Sequence, residues 1–130
     1  MITTAPALPF LRTVRRREKF ISGYKMQTDY DFMKMALEEA QKAFHKDEVP
    51  VGAIIVRNGK ILARAYNSPI TLHDPAAHAE MLALRQAALA IGNYRLTGAE
   101  LYVTLEPCIM CAGAIMHSRL KRVIFGATDP

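Results

Sequence analysis

From Thr28 onward the chain carries a helical period. Met33, Ala36, Leu37, Ala40 and Phe44 form an apolar stripe among charged positions, the spacing of one face of a helix. Thr28 and Asp31 stand three apart, as a capping box requires, so a helix is predicted over 29–45. The pattern then changes to two apolar, β-branched runs, Val51–Val56 and Ile61–Tyr66, joined through Asn58-Gly59. That dipeptide accepts the positive φ angles of a type I′ turn, which predicts a hairpin. Asp74-Pro75 can cap and open a second helix with Met81, Leu84, Ala88 and Ile91 on its buried face, ended by Gly92-Asn93. A strand over Leu101–Leu105, a third helix over Cys108–His117 and a strand over Arg122–Gly126 complete the order. Strand–helix–strand alternation after a hairpin implies an α/β fold: a mixed sheet covered by helices, with parallel crossovers in its second half. The last strand, Val123-Ile124-Phe125, is apolar and calls for a neighbour beside it.

Residues 1–25 lack such a period. They hold two prolines and six basic side chains against the single acid Glu18, while residues 26–130 hold eleven basic and eleven acidic side chains. The net charge of +5 therefore belongs to this segment, and the high isoelectric point says little about the rest. Residues 1–25 read as a basic extension without regular structure, outside a domain over 26–130 and dispensable for its chemistry. The extension contains no uninterrupted apolar core of a secretory signal. A length of 130 residues, 51% of them hydrophobic, suits one packed domain and excludes a disordered or low-complexity chain. No stretch approaches the ~18 apolar residues of a membrane span. Two cysteines three apart cannot build a disulfide framework and point to metal or redox chemistry in a reducing, cytoplasmic setting.

The candidate chemistry lies in two short segments, His78-Ala79-Glu80 and Pro107-Cys108-Ile109-Met110-Cys111, each predicted at a helix start. Cys108 and Cys111 share a face of a first turn, where the positive helix end favours thiolates. With His78 they make three protein ligands and leave a fourth tetrahedral position for water, the pattern of a catalytic rather than a structural zinc. Glu80 diverges from His78 by about 200° on a regular helix, so it reads as the proton carrier rather than a fourth ligand. Taken alone, Cys-x-x-Cys also fits a redox pair; the accompanying His-x-Glu favours zinc. His45 is placed at the end of the first helix, and His73 and His117 at the surface.

The pair of segments resembles the zinc-deaminase signature. The longer wording, His73-Asp74-Pro75-Ala76-Ala77-His78-Ala79-Glu80, Asn93-Tyr94-Arg95-Leu96, Leu101 to Cys108 and Cys111 to Arg119, resembles the bacterial tRNA-specific adenosine deaminase family over about Tyr30 to Asp129. The resemblance implies a cytidine deaminase-like three-layer α/β/α sandwich around a five-stranded sheet, acting as a homodimer. It also implies hydrolytic conversion of adenosine to inosine at the wobble position of a tRNA anticodon, with a zinc-activated water as nucleophile. Position by position, His78, Cys108 and Cys111 would hold one Zn2+, Glu80 would move protons, Asn67 would contact the base, and Val51 and Leu105 would line its pocket. An anticodon stem-loop, whose bases can be splayed out, suits such a site better than a duplex. Family members continue past the strand at 122–126 into a fifth strand and closing helices, so the resemblance implies a C-terminally truncated chain. The alternatives are a free-base or nucleoside deaminase of guanine or cytosine type, and an inactive truncated fragment.

Overall fold

In the computed structural model, residues 2–4, 19–21 and 24–129 are described. The elements in chain order are strands β1 (Ile2–Thr4), β2 (Lys19–Ile21) and β3 (Tyr24–Met26), helix α1 (Asp29–His45), and strands β4 (Gly52–Arg57) and β5 (Lys60–Tyr66). The short helix α2 (Pro69–Leu72), helix α3 (Ala79–Ile91), strand β6 (Ala99–Leu105), helix α4 (Ile109–Ser118) and strand β7 (Arg122–Ala127) follow. The capping box of α1 is present, with the Asp31 amide donating to Thr28 Oγ1 and the Thr28 amide donating to Asp31 Oδ2. Asn58 and Gly59 carry φ angles of 52° and 75°, as a type I′ turn requires.

One sheet runs in the order β1-β7-β6-β4-β5. β4 pairs antiparallel with β5 and β6, and β7 pairs parallel with β6 and β1. Strand alternation sends successive side chains to opposite faces, and both faces are buried. Ala53, Ile55, Leu101, Val103, Val123 and Phe125 meet α3 and α4 on one side. Ile54, Val56, Tyr102 and Ile124 meet Phe32, Met33 and Ala36 of α1 on the other. Helix, sheet and helix thus form three layers, as expected. Burying one such large side chain contributes about 1.5–3 kcal/mol.

Three expectations change. Phe44 is 64% exposed, and α1 instead buries Phe32, Met33, Ala36, Glu39, Ala40 and Ala43. The reason is close approach: a Cβ at Gly52 of β4 would collide with the Ala36 carbonyl and the Ala40 amide, so only small residues fit where the helix crosses β4 at these positions. Asp74-Pro75 opens a turn rather than a helix: Asp74 Oδ1 accepts the Ala76 amide at 2.9 Å, and α3 begins at Ala79 with the Ala-rich buried face Ala79, Ala83, Leu84 and Ala87. Finally, residues 1–25 are not wholly without regular structure. β2 and β3 pair with each other, and β1 lies parallel to β7, with Ile2, Thr3 and Thr4 opposite Val123, Ile124 and Phe125. The neighbour that β7 called for is supplied from the chain's own N-terminal segment, because an unpaired strand edge is a template for any backbone that can reach it.

Candidate metal centre and active site

The site forms where two helices begin. α4 follows β6 through a three-residue connection, so its N-terminus lies beyond the carboxyl end of that strand, the usual position of ligand sites in α/β sheets. His78 and Cys108 are the N-cap residues of α3 and α4, each with extended backbone and neither using its side chain as a cap. Their backbone carbonyls start the helical ladders by accepting from Leu82 at 3.0 Å and Ala112 at 2.8 Å. Their side chains are thereby left to face each other, with Cys111 one turn further along α4.

His78 Nδ1 lies 3.6 Å from Cys108 Sγ and 3.6 Å from Cys111 Sγ. The three donor atoms lie within 4.8 Å of one another, and they form a group able to hold a metal ion. A tetrahedral zinc with Zn–S near 2.3 Å and Zn–N near 2.05 Å sets an S···N edge of about 3.6 Å, so donor types and spacing both fit. Because His78 is extended rather than helical, its ring escapes the helix's angular spacing and approaches both sulfurs.

Without a cation the site favours the neutral thiol at Cys111. Cys111 is fully buried, and burial, then the Glu80 carboxylate and Cys108, push its thiol far above the ordinary range. The expected thiolate preference of a helix start is thus overridden here by desolvation, and a bound cation is what restores it. Glu80 is 4% exposed; burial raises its pKa, against the pull of its own amide, a hydrogen bond with Cys111 and the His78 charge. A buried carboxyl with a raised pKa beside metal ligands suits an acid–base group.

Asn67 and Val51, two residues named from the resemblance, are joined directly, since the Asn67 amide donates to the Val51 carbonyl at 3.0 Å. The next amide, of Ser68, donates to Ala77, the residue before His78, at 2.9 Å. Leu105, at the end of β6, packs against the same core cluster as Val51 and Ala79. His45 ends α1, and His45, His73 and His117 are exposed, apart from the cluster. One residue escaped sequence reasoning: Glu48, a loop acid that proves to be 5% exposed. No periodic pattern marks it.

Residues 26–127 match the cytidine and deoxycytidylate deaminase zinc-binding region. The chain belongs to this family of zinc-binding deaminases. Among individual proteins, it is 55% identical over 105 residues to the tRNA-specific adenosine deaminase of Bacillus subtilis (strain 168), covering 81% of this chain and 65% of that protein. The chain therefore spans less than two thirds of that relative. A structure from a study of A-to-I editing by tRNA:A34 deaminases at the wobble position of transfer RNA aligns with a TM-score of 0.76 at 50% identity, covering 78% of this chain and 73% of that one. The guanine deaminase of Bacillus subtilis aligns with a TM-score of 0.76 at 39% identity, covering 78% and 66%.

Proposed function

We propose that this chain carries the catalytic centre of a hydrolase that converts adenosine to inosine at the wobble position of a tRNA anticodon. The observation that supports the chemistry is the convergence of His78, Cys108 and Cys111 with the buried Glu80 beside them. The substrate rests on the match to tRNA-specific adenosine deaminases, at higher identity than to the guanine deaminase of the same fold.

His78, Cys108 and Cys111 hold Zn2+, one per chain. When bound, that ion supplies Lewis acidity that makes a water nucleophilic near neutral pH. Glu80 takes one proton from the attacking water and delivers it to N1 of adenine, then takes the second from the hydroxyl added at C6 and delivers it to the leaving amine. The water oxygen bonds to C6, the C6–N6 bond breaks, and inosine and ammonia leave. Asn67 orients the base while Val51 and Leu105 exclude water around it, which favours the charge movements of the step. The anticodon stem-loop supplies the base.

The same reading makes the protein a cytoplasmic homodimer. Cys108 and Cys111 must stay reduced to hold the metal, which suits a reducing compartment. Ile109, Met110 and Met116 leave apolar surface exposed on α4, which suits a second copy.

The test is inosine formation by zinc-loaded protein on an adenosine-containing anticodon stem-loop, beside free guanine, cytosine and nucleosides. Inosine from the stem-loop alone is the expected result. Turnover of a free base alone would move the protein to the second class. Glu80→Ala is expected to keep its zinc by metal analysis and lose the conversion, whereas Cys108→Ala is expected to lose both.

A further inference from the structure

The segment between β5 and α3 carries Asn67, and packing does little to hold the short helix that follows it. No residue of α2 is buried, and Ile70 and Leu72 stand exposed. Ser68, at the N-cap of α2, makes no side-chain cap; its hydroxyl donates backward to the Tyr66 carbonyl at 2.9 Å. Pro69 has no N–H, so the amides of Ile70 and Thr71 are the donors left at this helix start. Both are taken by Glu48. Its Oε1 accepts from the Ile70 amide at 3.1 Å, and its Oε2 accepts from the Thr71 amide at 2.7 Å and the Thr71 hydroxyl at 2.8 Å.

Glu48 thus does from the loop before β4 what an N-cap side chain normally does from within its own helix. It lies three residues before Val51, whose carbonyl accepts the Asn67 amide. The segment 67–71 is therefore fastened to the segment 48–51 at both ends, by a backbone bond at Asn67 and by a buried carboxylate at Ile70 and Thr71. A third bond, from the Ser68 amide to Ala77, carries the fastening to the residue before His78. Asn67, 8% exposed, sits between these pins.

We propose that Glu48 is a positioning residue: by pinning the start of α2 it holds Asn67 in the orientation that receives the substrate base. The inference rests on the proposed base contact of Asn67. A cap with a purely structural role would stabilise α2 and leave the placement of Asn67 unchanged.

The two roles separate in amide exchange and in a double-mutant cycle. In Glu48→Ala, exchange is expected to rise by about tenfold or more at Asn67 and Ser68 as well as at Ile70 and Thr71, with α1 and the zinc content unchanged. On the anticodon stem-loop, kcat/KM is expected to fall by about tenfold, and Glu48→Ala combined with Asn67→Ala is expected to be no worse than Asn67→Ala alone. Glu48→Gln keeps one carbonyl acceptor and is expected to lie between wild type and Glu48→Ala; it takes over every readout if Glu48→Ala does not fold. Faster exchange at Ile70 and Thr71 with Asn67 and Ser68 unchanged would overturn the proposal, as would multiplicative losses in the cycle. If wild-type protein makes no inosine from the stem-loop, the substrate reading fails instead, and the exchange pattern alone decides for or against the pin.

Discussion

At position 48 the donors that meet a buried carboxylate favour its charged form. Burial works against the ionised form, and the donations from Thr71 and Ile70 outweigh it, so the Glu48 pKa lies below the ordinary glutamate value of 4.5. A depressed pKa in the folded state means stability that is present above the unfolded value and lost as pH falls through the folded one. Thermal melts of wild type and Glu48→Gln from pH 7 to pH 3 are the check. Wild type is expected to melt higher near neutrality, with the gap closing below about pH 4.5 as Glu48 takes up a proton. A gap constant across that range would show that ionised Glu48 does not contribute. The same residue marks a limit of sequence reading. A glutamate in Asp47-Glu48-Val49-Pro50 looks like any solvated loop acid, because its partners lie more than twenty residues away and follow no period. His78, Cys108 and Cys111 were legible because ligand chemistry restricts residue type and spacing locally, and only the distance between the two segments had to be supplied by the fold.

Elements were legible where local chemistry decides them. Thr28 and Asp31 bracket the start of α1, and Asn58-Gly59 makes the β4–β5 turn, because caps and positive φ angles act within a few residues. The error at Phe44 arose at the next scale. α1 buries Phe32 and Met33 near its start but meets β4 too closely at Ala36 and Ala40 to admit large side chains there, so Ala40 and Ala43 face the sheet and Phe44 points away. Gly52 is the matching half of that contact. Gly52→Ala would set a methyl group against the Ala36 carbonyl and the Ala40 amide, backbone atoms that cannot turn aside as a side chain could. Overpacking of this kind costs about 1–3 kcal/mol. Chemical denaturation is expected to show a loss in that range. A loss below about 0.5 kcal/mol, the scale of ordinary surface substitutions, would mean that α1 can lift from the sheet freely.

At the scale of the molecule, the chain departs most from its sequence reading at the β7 edge. Val123, Ile124 and Phe125 are apolar and were expected to need a covering strand; that strand is β1, which lies outside the family match over 26–127. No periodicity argument reaches this pairing, because a three-residue strand carries too little pattern and its partner is over a hundred residues away. The basic composition of residues 1–25 masked it further, since charge runs ordinarily belong to solvated segments. The pairing has a physical consequence. Each backbone hydrogen bond in such a pair contributes about 0.5–1.5 kcal/mol net, and the exposed edge of β7 would otherwise invite other chains. Two deletions separate the strand from the charge: one removing residues 1–4, the other removing residues 1–25. Both are expected to lower the Tm by several degrees, as a loss of about 1–2 kcal/mol would, and to increase concentration-dependent association in sedimentation. Because both remove β1, their losses should be similar, although only the longer deletion removes the arginine run. A short deletion that melts and sediments like the full chain would show that β1 does not secure the sheet. A loss confined to the longer deletion would assign the stabilisation to the remaining residues of the segment, β2 and β3 among them.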